Sequence, residues 1–219
     1  LLLHVYGKMD KIVVRGESSK AALIKTGINP DIFEIAPDTA IMTSSPNIRK
    51  QNKNLVGINF TPHINFDISR IKIVIDHFKK LGKQIIFITN EPAGDKEIAK
   101  KMFETYAIES FPIIRDYLEY AERLTEFDYI VSTRLHSNIM ALSSGIPIIA
   151  IEGHSFKTTE LLKELQYPVP VLSAYTDNWE QTLIKMIDDV ENGVYDFDNY
   201  FKNVLPTLKQ GVKKNSSWI

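Results

Sequence analysis

Read for its hydrophobic and polar positions, the chain alternates short apolar, β-branched runs with amphipathic stretches. Ile12-Val13-Val14-Arg15 reads as a strand, and Ser18 to Thr26 as a short helix ended by Gly27. Phe33 to Ala36 is a second short strand, stopped by Pro37. Ser44 to Asn54 is polar, carries Pro46 and reads as a linker. A regular alternation follows. Leu55 to Phe60 is a strand, and Asp67 to Leu81 a helix with Ile68, Ile71, Val74, Ile75 and Phe78 on one face, ended by Gly82. Gln84 to Thr89 is a strand, Asp95 to Tyr106 a helix with Asp95 as its N-cap, and Asp116 to Leu124 a short helix. Asp128 to Ser132 is a strand, Arg134 to Ser143 a helix, and Pro147 to Ile151 a strand. Phe156 to Leu165 is a helix, Val169 to Leu172 a strand, Asp177 to Glu191 a helix, and a final helix runs from Asp196 to about Lys209.

Strands alternating with helices predict right-handed βαβ units and an α/β fold, a Rossmann-like doubly wound parallel sheet. Ile146-Pro147-Ile148-Ile149-Ala150-Ile151 is apolar at almost every position, as a strand buried on both faces must be. Sheets of this kind bind ligands beyond the carboxyl ends of their strands, so the turns of interest start at Asn59, Thr89, Ser132 and Glu152. Residues 1–50 are expected to be the end of one domain with its linker, 51–195 a donor-binding domain, and 196–219 a C-terminal helix and tail. The first 45 residues or so are expected to pack partly outside the main sheet.

Composition narrows the chemistry. A net charge of −1 gives no global field to attract nucleic acid. The absence of cysteine excludes disulfides and thiolate zinc sites and suits a reducing compartment. No apolar run approaches the roughly 20 residues of a membrane helix. The opening Leu1-Leu2-Leu3-His4 has no initiator Met and no basic n-region, so no signal peptide is expected and the chain is expected to begin mid-protein. The histidines are scattered and form no metal-ligand cluster.

One turn concentrates the chemistry. Tyr129-Ile130-Val131 runs into Ser132-Thr133, which can cap the next helix, and Arg134 and His136 then fall in its first turn. A cation at the positive end of a helix is unfavourable by a few tenths of a kcal/mol unless an anion sits opposite. Helix N-termini are also phosphate and carboxylate sites, and an arginine fork adds two parallel donors. His136 has an unperturbed pKa suited to proton transfer near neutrality. The competing reading is structural: Arg134 pairs with a local acid such as Asp128 and His136 packs. Ala141 and the small residues around it let the helix approach the sheet closely, which suits a site-bearing helix and a packing helix alike.

The run Asp128-Tyr-Ile-Val-Ser-Thr-Arg-Leu-His136, followed by Ala141, Gly145-Ile-Pro147 and Lys157, resembles the signature of polysaccharide pyruvyl transferases. Ile12-Val-Val-Arg-Gly-Glu-Ser18 resembles that family's strand ending in Arg-Asp-Glu-Ser, with Gly16 in place of the Asp; Ala36-Pro-Asp-Thr-Ala40 and Val56-Gly-Ile-Asn59 resemble its next segments. The resemblance covers roughly residues 10 to 166. It implies a fold similar to the two-domain glycosyltransferase B type, with the end of an N-terminal domain followed by the C-terminal one. It implies transfer of a pyruvyl group from phosphoenolpyruvate, as donor substrate and without a cofactor or metal, to two hydroxyls of a sugar, forming a ketal. Arg134 and His136 would then be catalytic, and Arg15, Leu135, Lys157 and Asn59 would bind substrate. The partners implied are phosphoenolpyruvate and a glycan or lipid-linked saccharide, in the cytoplasm or at the inner face of the membrane.

Other positions admit two readings. Lys157 is a solvated lysine at a helix start or a second cation facing an anion, and Asn59 and Thr61 cap a turn or touch a ligand. Thr89-Asn90-Glu91-Pro92, His63 and His154 lie in loops after strands, whereas His77 sits on a helix and reads as structural. Glu152 and Glu160 are eight apart, as in many retaining glycosyltransferases where one acid binds ribose. That spacing supports a nucleotide-sugar-dependent glycosyltransferase, and a non-catalytic glycan-binding domain is the third reading. The tail from Lys213 to Ile219 is a frayed terminus or a contact with an anionic membrane.

Overall fold

The computed structural model describes residues 2–36, 38–44, 54–61, 68–89, 92–153 and 156–216. A short helix α1 (Leu2–Tyr6) precedes strand β1 (Ile12–Val14), helix α2 (Glu17–Ile24) and strand β2 (Phe33–Ile35). β1 and β2 pair in parallel, with Ile12 opposite Phe33, and form a two-stranded sheet of their own. The N-terminal segment thus lies outside the main sheet, as its sequence predicts. Ser44 and Asn54 apart, the expected linker lies outside the described residues.

The main sheet is built from β3 (Leu55–Asn59), β4 (Gln84–Phe87), β5 (Tyr129–Ser132), β6 (Ile148–Glu152) and β7 (Leu172–Ser173). All neighbours are parallel, in the order β4-β3-β5-β6-β7. Helices α3 (Ile68–Lys80), α4 (Pro92–Tyr106), α5 (Tyr117–Leu124), α6 (Leu135–Ser143), α7 (Lys157–Glu164) and α8 (Trp179–Glu191) connect and cover the strands. The last segment forms α9 (Phe197–Asn199), a π-helical turn (Tyr200–Val204) and α10 (Leu205–Ser216).

Two cores follow from this layering. One face of the sheet packs Ile130, Ile148 and Ala150 against α5, α6, α7 and α10 through Leu124, Ile139, Leu142, Leu161 and Leu205. The other packs Val56, Ile58, Val131, Ile149 and Ile151 against α3, α4 and α8 through Phe78, Met102 and Leu183. Every residue of β3 is buried, as in a strand covered on both faces. Ile41 is also part of the first core, so the turn Thr39–Met42 that follows β2 is packed on α6. Gly82 (φ +72°) and Gly145 (φ +79°) follow α3 and α6 in the left-handed conformation that lets a helix stop and a strand begin.

The structure moves four predicted boundaries. α4 starts at Pro92 rather than at Asp95, since proline fits a first helical position; Asp95 lies within the first turn and is fully buried. α6 starts at Leu135 with Arg134 in the N-cap position, and β7 lies at Leu172–Ser173 rather than at Val169. The final helix runs on to Ser216.

Gly57, in the middle of β3, has no room for a side chain: a Cβ there would overlap Ile88 and stand 3.0 Å from Ile130 Cγ2. Gly57→Ala should therefore destabilise the fold by about 1–3 kcal/mol. Thermal melting checks this, at roughly 2–4 °C per kcal/mol for a domain of this size.

Candidate functional site

The strand order reverses at β3. The chain leaves β3 for β4 on one side, then crosses back to β5 on the other. A crevice opens at the carboxyl ends of two strands that diverge in this way. Here the ends are Asn59 and Ser132, which stand opposite each other in register. The Thr133 amide donates to the Asn59 carbonyl at 3.0 Å, and the Thr133 hydroxyl accepts from the Thr61 amide at 2.7 Å. These bonds tie the start of the Arg-Leu-His turn to the neighbouring strand.

Arg134 occupies the N-cap position of α6 in extended conformation (φ −91°, ψ 118°), and its amide donates to the Ser132 hydroxyl at 3.0 Å. Its guanidinium donates to Asp95 Oδ1 at 2.5 Å, with only 16% of the Arg134 side chain and none of the Asp95 side chain exposed. The anion opposite this cation is thus a carboxylate of the protein itself, Asp95 on α4. Asp128, the local alternative, pairs instead with Lys83. Asn59 is fully buried; its amide donates to the Ile88 carbonyl and reaches Asp95 Oδ2 at 3.5 Å. Asn59 Oδ1 and Asn138 Oδ1, both buried at this crevice, accept no hydrogen bond among the described residues. Asn138 Nδ2 donates to the Ser132 carbonyl at 3.3 Å.

A second cation reaches the same corner from the N-terminal segment. Arg15 follows β1 and donates to Asp38 Oδ2 at 2.6 Å, while the other oxygen of Asp38 accepts from the Ala40 amide at 3.0 Å. Burial works to raise the Asp38 pKa, but the Arg15 and Ala40 hydrogen bonds and the charges of Arg15 and His136 outweigh it and hold the carboxyl below its ordinary range. His136 is therefore close enough to act on Asp38, and its side chain is exposed. Arg134, His136 and Asn59 thus lie at one end of the sheet, and Arg15 is linked to them through Asp38.

The other candidates are placed differently. Leu135 is half-buried and packs on the first core. Lys157 is exposed at the start of α7. His77 Nε2 donates to the Asp188 carboxylate at 2.7 Å, the structural role its helix position suggests. His63, His154, Asn90 and Glu91 lie outside the described residues. Glu152 and Glu160, the pair eight apart, both cap helices. Glu152 accepts from the Thr158 amide at 2.8 Å and the Thr159 amide at 3.3 Å at the head of α7; Glu160 accepts from the Ser18 amide at 2.6 Å at the head of α2. Asp95 is the site residue that sequence reading treats as a cap alone. Its burial depends on the crossing of α4 over β3, which no local pattern encodes.

Two outcomes follow. Asp95→Ala removes the buried carboxylate from Arg134. Breaking a buried pair costs about 3–5 kcal/mol, and the residual exposure of Arg134 puts this case at the low end. Denaturant titration should show that loss, and Asp95→Ala combined with Arg134→Met should recover most of it. The second outcome concerns Glu164, on α7, whose carboxylate oxygens are buried without a hydrogen-bond partner among the described residues. Burial, then the charge of Glu160, push its pKa up to about 7 against the pull of Arg15. The folded state therefore holds a proton that the unfolded chain releases above its ordinary value of 4.5. The stability this provides is complete below that value and is lost as pH rises through about 7. Glu164→Gln should flatten the dependence of Tm on pH between 4.5 and 7 and raise Tm at pH 8.

No curated protein matches the sequence. Solved structures share the fold at low identity. TarM superposes with a TM-score of 0.65 at 15% identity, over 99% of this chain and 44% of its own. The UDP-GlcNAc 2-epimerase of Methanocaldococcus jannaschii gives 0.63 at 15% identity, over 95% of this chain and 60% of its own. The pneumococcal O-GlcNAc transferase GtfA gives 0.60 at 14% identity, over 99% of this chain and 46% of its own. The chain thus spans about half the length of these structures. The sheet order and these similarities make it a Rossmann-like unit of glycosyltransferase B type. The polysaccharide pyruvyl transferase family matches residues 1–155, from the helix before β1 through the Arg-Leu-His turn to the end of β6, and the chain belongs to that family.

Proposed function

We propose that this chain is the donor-binding part of an enzyme that transfers a pyruvyl group from phosphoenolpyruvate to two hydroxyls of a surface or exopolysaccharide sugar. The observation that carries the reading is that the Arg15–Asp38 pair of the N-terminal segment lies within reach of the charge of His136, two residues from Arg134 at the switch point. Phosphoenolpyruvate bears a phosphate and a carboxylate, and each matches an arginine fork or a helix N-terminus.

The chemistry needs one proton carrier. One sugar hydroxyl attacks C2 of the donor while C3 takes up a proton and becomes a methyl group. The C2–O bond to phosphate then breaks, the second hydroxyl attacks C2, and inorganic phosphate leaves with the remaining proton. His136, exposed at the crevice, takes the proton from the attacking hydroxyl and delivers one to C3. Asp95 holds the Arg134 guanidinium in place. Asn59 Oδ1 offers a buried acceptor for a hydroxyl. Lys157 and Leu135 would line the outer wall. No step calls for a metal or a cofactor. Among the described residues no helix is long and apolar enough to cross a membrane. A cytoplasmic enzyme acting on a lipid-linked saccharide, with peripheral membrane contact, belongs to this reading.

A nucleotide-sugar transferase is the second reading, because some similar structures hold UDP. The capping roles of Glu152 and Glu160 weigh against it, since both acids are already engaged. The experiment is calorimetry and turnover with the full-length enzyme. Phosphoenolpyruvate should bind. His136→Ala should lower kcat by roughly 10²–10⁴-fold with little change in donor affinity. Arg134→Ala should weaken donor binding about ten- to a hundredfold, the loss of a charge-assisted bond of about 1.5–3 kcal/mol, and Arg134→Lys should restore only part of it. Binding of a UDP-sugar without binding of phosphoenolpyruvate would transfer the case to the second reading.

A further inference from the structure

Helix α2 begins immediately after Arg15, and it begins without a cap of its own. Its N-cap residue is Gly16, which makes no side-chain cap hydrogen bond. An N-cap side chain ordinarily accepts from the amide of the second or third helical residue. In α2 the second helical residue is Ser18, and its amide donates to Glu160 Oε1 at 2.6 Å, across 142 residues of sequence. Glu160 lies on α7, which packs on the main sheet through Leu161 and Leu162.

The fit is also steric. Gly16 has φ −166° and ψ 164°, extended backbone that any residue adopts, so its conformation does not require glycine. Its surroundings are filled by the end of one long side chain. A Cβ at Gly16 would stand 2.6 Å from Glu160 Cδ and 2.8 and 2.9 Å from the two carboxylate oxygens. The Glu160 carboxyl fills the space that a side chain at this position would occupy, and it makes the bond that a capping side chain would make. A carboxylate at this end also complements the helix dipole. α7 is itself held at its head by Glu152, which bonds the Thr158 and Thr159 amides and the Thr159 hydroxyl. The two acids thus form a relay: the end of β6 fixes α7, and α7 fixes α2.

We propose that Glu160 is a positioning residue for Arg15: it caps α2 from the opposite segment and so holds the end of β1 against the crevice of the main sheet. The role for Arg15 rests on the pyruvyl-transferase reading; the cap itself does not. Gly16 and Glu160 are then mutually dependent. Gly16→Asp introduces a second carboxylate into filled space, whereas Glu160→Ala vacates that space and leaves the Ser18 amide uncapped.

The experiment uses the full chain, with hydrogen exchange at the Ser18 amide, melting temperature, and phosphoenolpyruvate affinity by calorimetry. Glu160→Ala should speed exchange at Ser18 roughly five- to tenfold, the loss of one cap. Glu160→Gln keeps an acceptor oxygen and should remain close to wild type. Gly16→Asp alone should lower Tm. Combined with Glu160→Ala, it should bring exchange and Tm back toward wild type, because the cap is then supplied locally. Donor affinity should follow the same order. A Gly16→Asp variant as stable as wild type, or a double variant no better protected than Glu160→Ala, overturns the proposal. Exchange and melting that follow the pattern while donor affinity stays constant overturn the positioning of Arg15 and leave the cap. If wild type binds no phosphoenolpyruvate, the functional reading has failed, and exchange at Ser18 alone decides the cap.

Discussion

The crevice depends on keeping a guanidinium at the positive end of a helix. Arg134 sits at the N-cap of α6, so its own charge opposes the local dipole. A fully buried carboxylate, Asp95, makes the position tenable. That carboxylate comes from α4, the crossover after β4, on the other side of the strand whose end carries Asn59. The ion pair therefore needs the switch point: only where the sheet order reverses do the ends of β3 and β5 diverge enough to admit an arginine and an aspartate between them. The backbone bond from Thr133 to Asn59 holds that geometry from below.

α6 transmits this constraint through the molecule. At its head it carries Arg134 and His136. Toward its end, Ser143 donates to the Thr43 carbonyl of the N-terminal segment, and Lys209 of α10 donates to the Ser143 carbonyl at 2.8 Å. A lysine at that end complements the negative pole of the helix, although burial lowers its pKa. Segments from both ends of the chain are thus fastened to one nine-residue helix. The N-terminal segment meets α6 a second time through Asp38, which joins Arg15 to the charge of His136.

The main sheet was legible because its signals are local. A run such as Ile148–Glu152 is apolar enough to read as a doubly covered strand, and glycines such as Gly82 and Gly145 mark helix ends. The Arg-Leu-His turn was legible for the same reason: a cation at a helix head is a local anomaly. What escaped depends on crossings between elements. Asp95 has the look of a cap, and nothing within α4 indicates that its carboxylate faces Arg134, 39 residues away. The use of Glu160 is similarly invisible, since two acids eight residues apart suggest a nucleotide site, whereas the structure uses the two carboxylates on two different helices. Proline at the start of α4 hid its first turn, because proline usually reads as an interruption rather than a first position.

The charge balance of the crevice bears on how it would choose a ligand. Arg134 and Arg15 each have an aspartate partner, Asp95 and Asp38, so the charge of each cation is balanced by a neighbour. An unspecific anion gains little from entering, because it meets neutralised pairs rather than bare charge. A ligand with two separate planar or tetrahedral anionic groups has a different prospect. It can meet two arginine forks, a helix N-terminus and an imidazole at once and with fixed spacing. Pairing each arginine with an acid thus trades raw affinity for geometric selection. On the proposed reading, that selection is for the phosphate and carboxylate of one small donor over the many single anions that surround it.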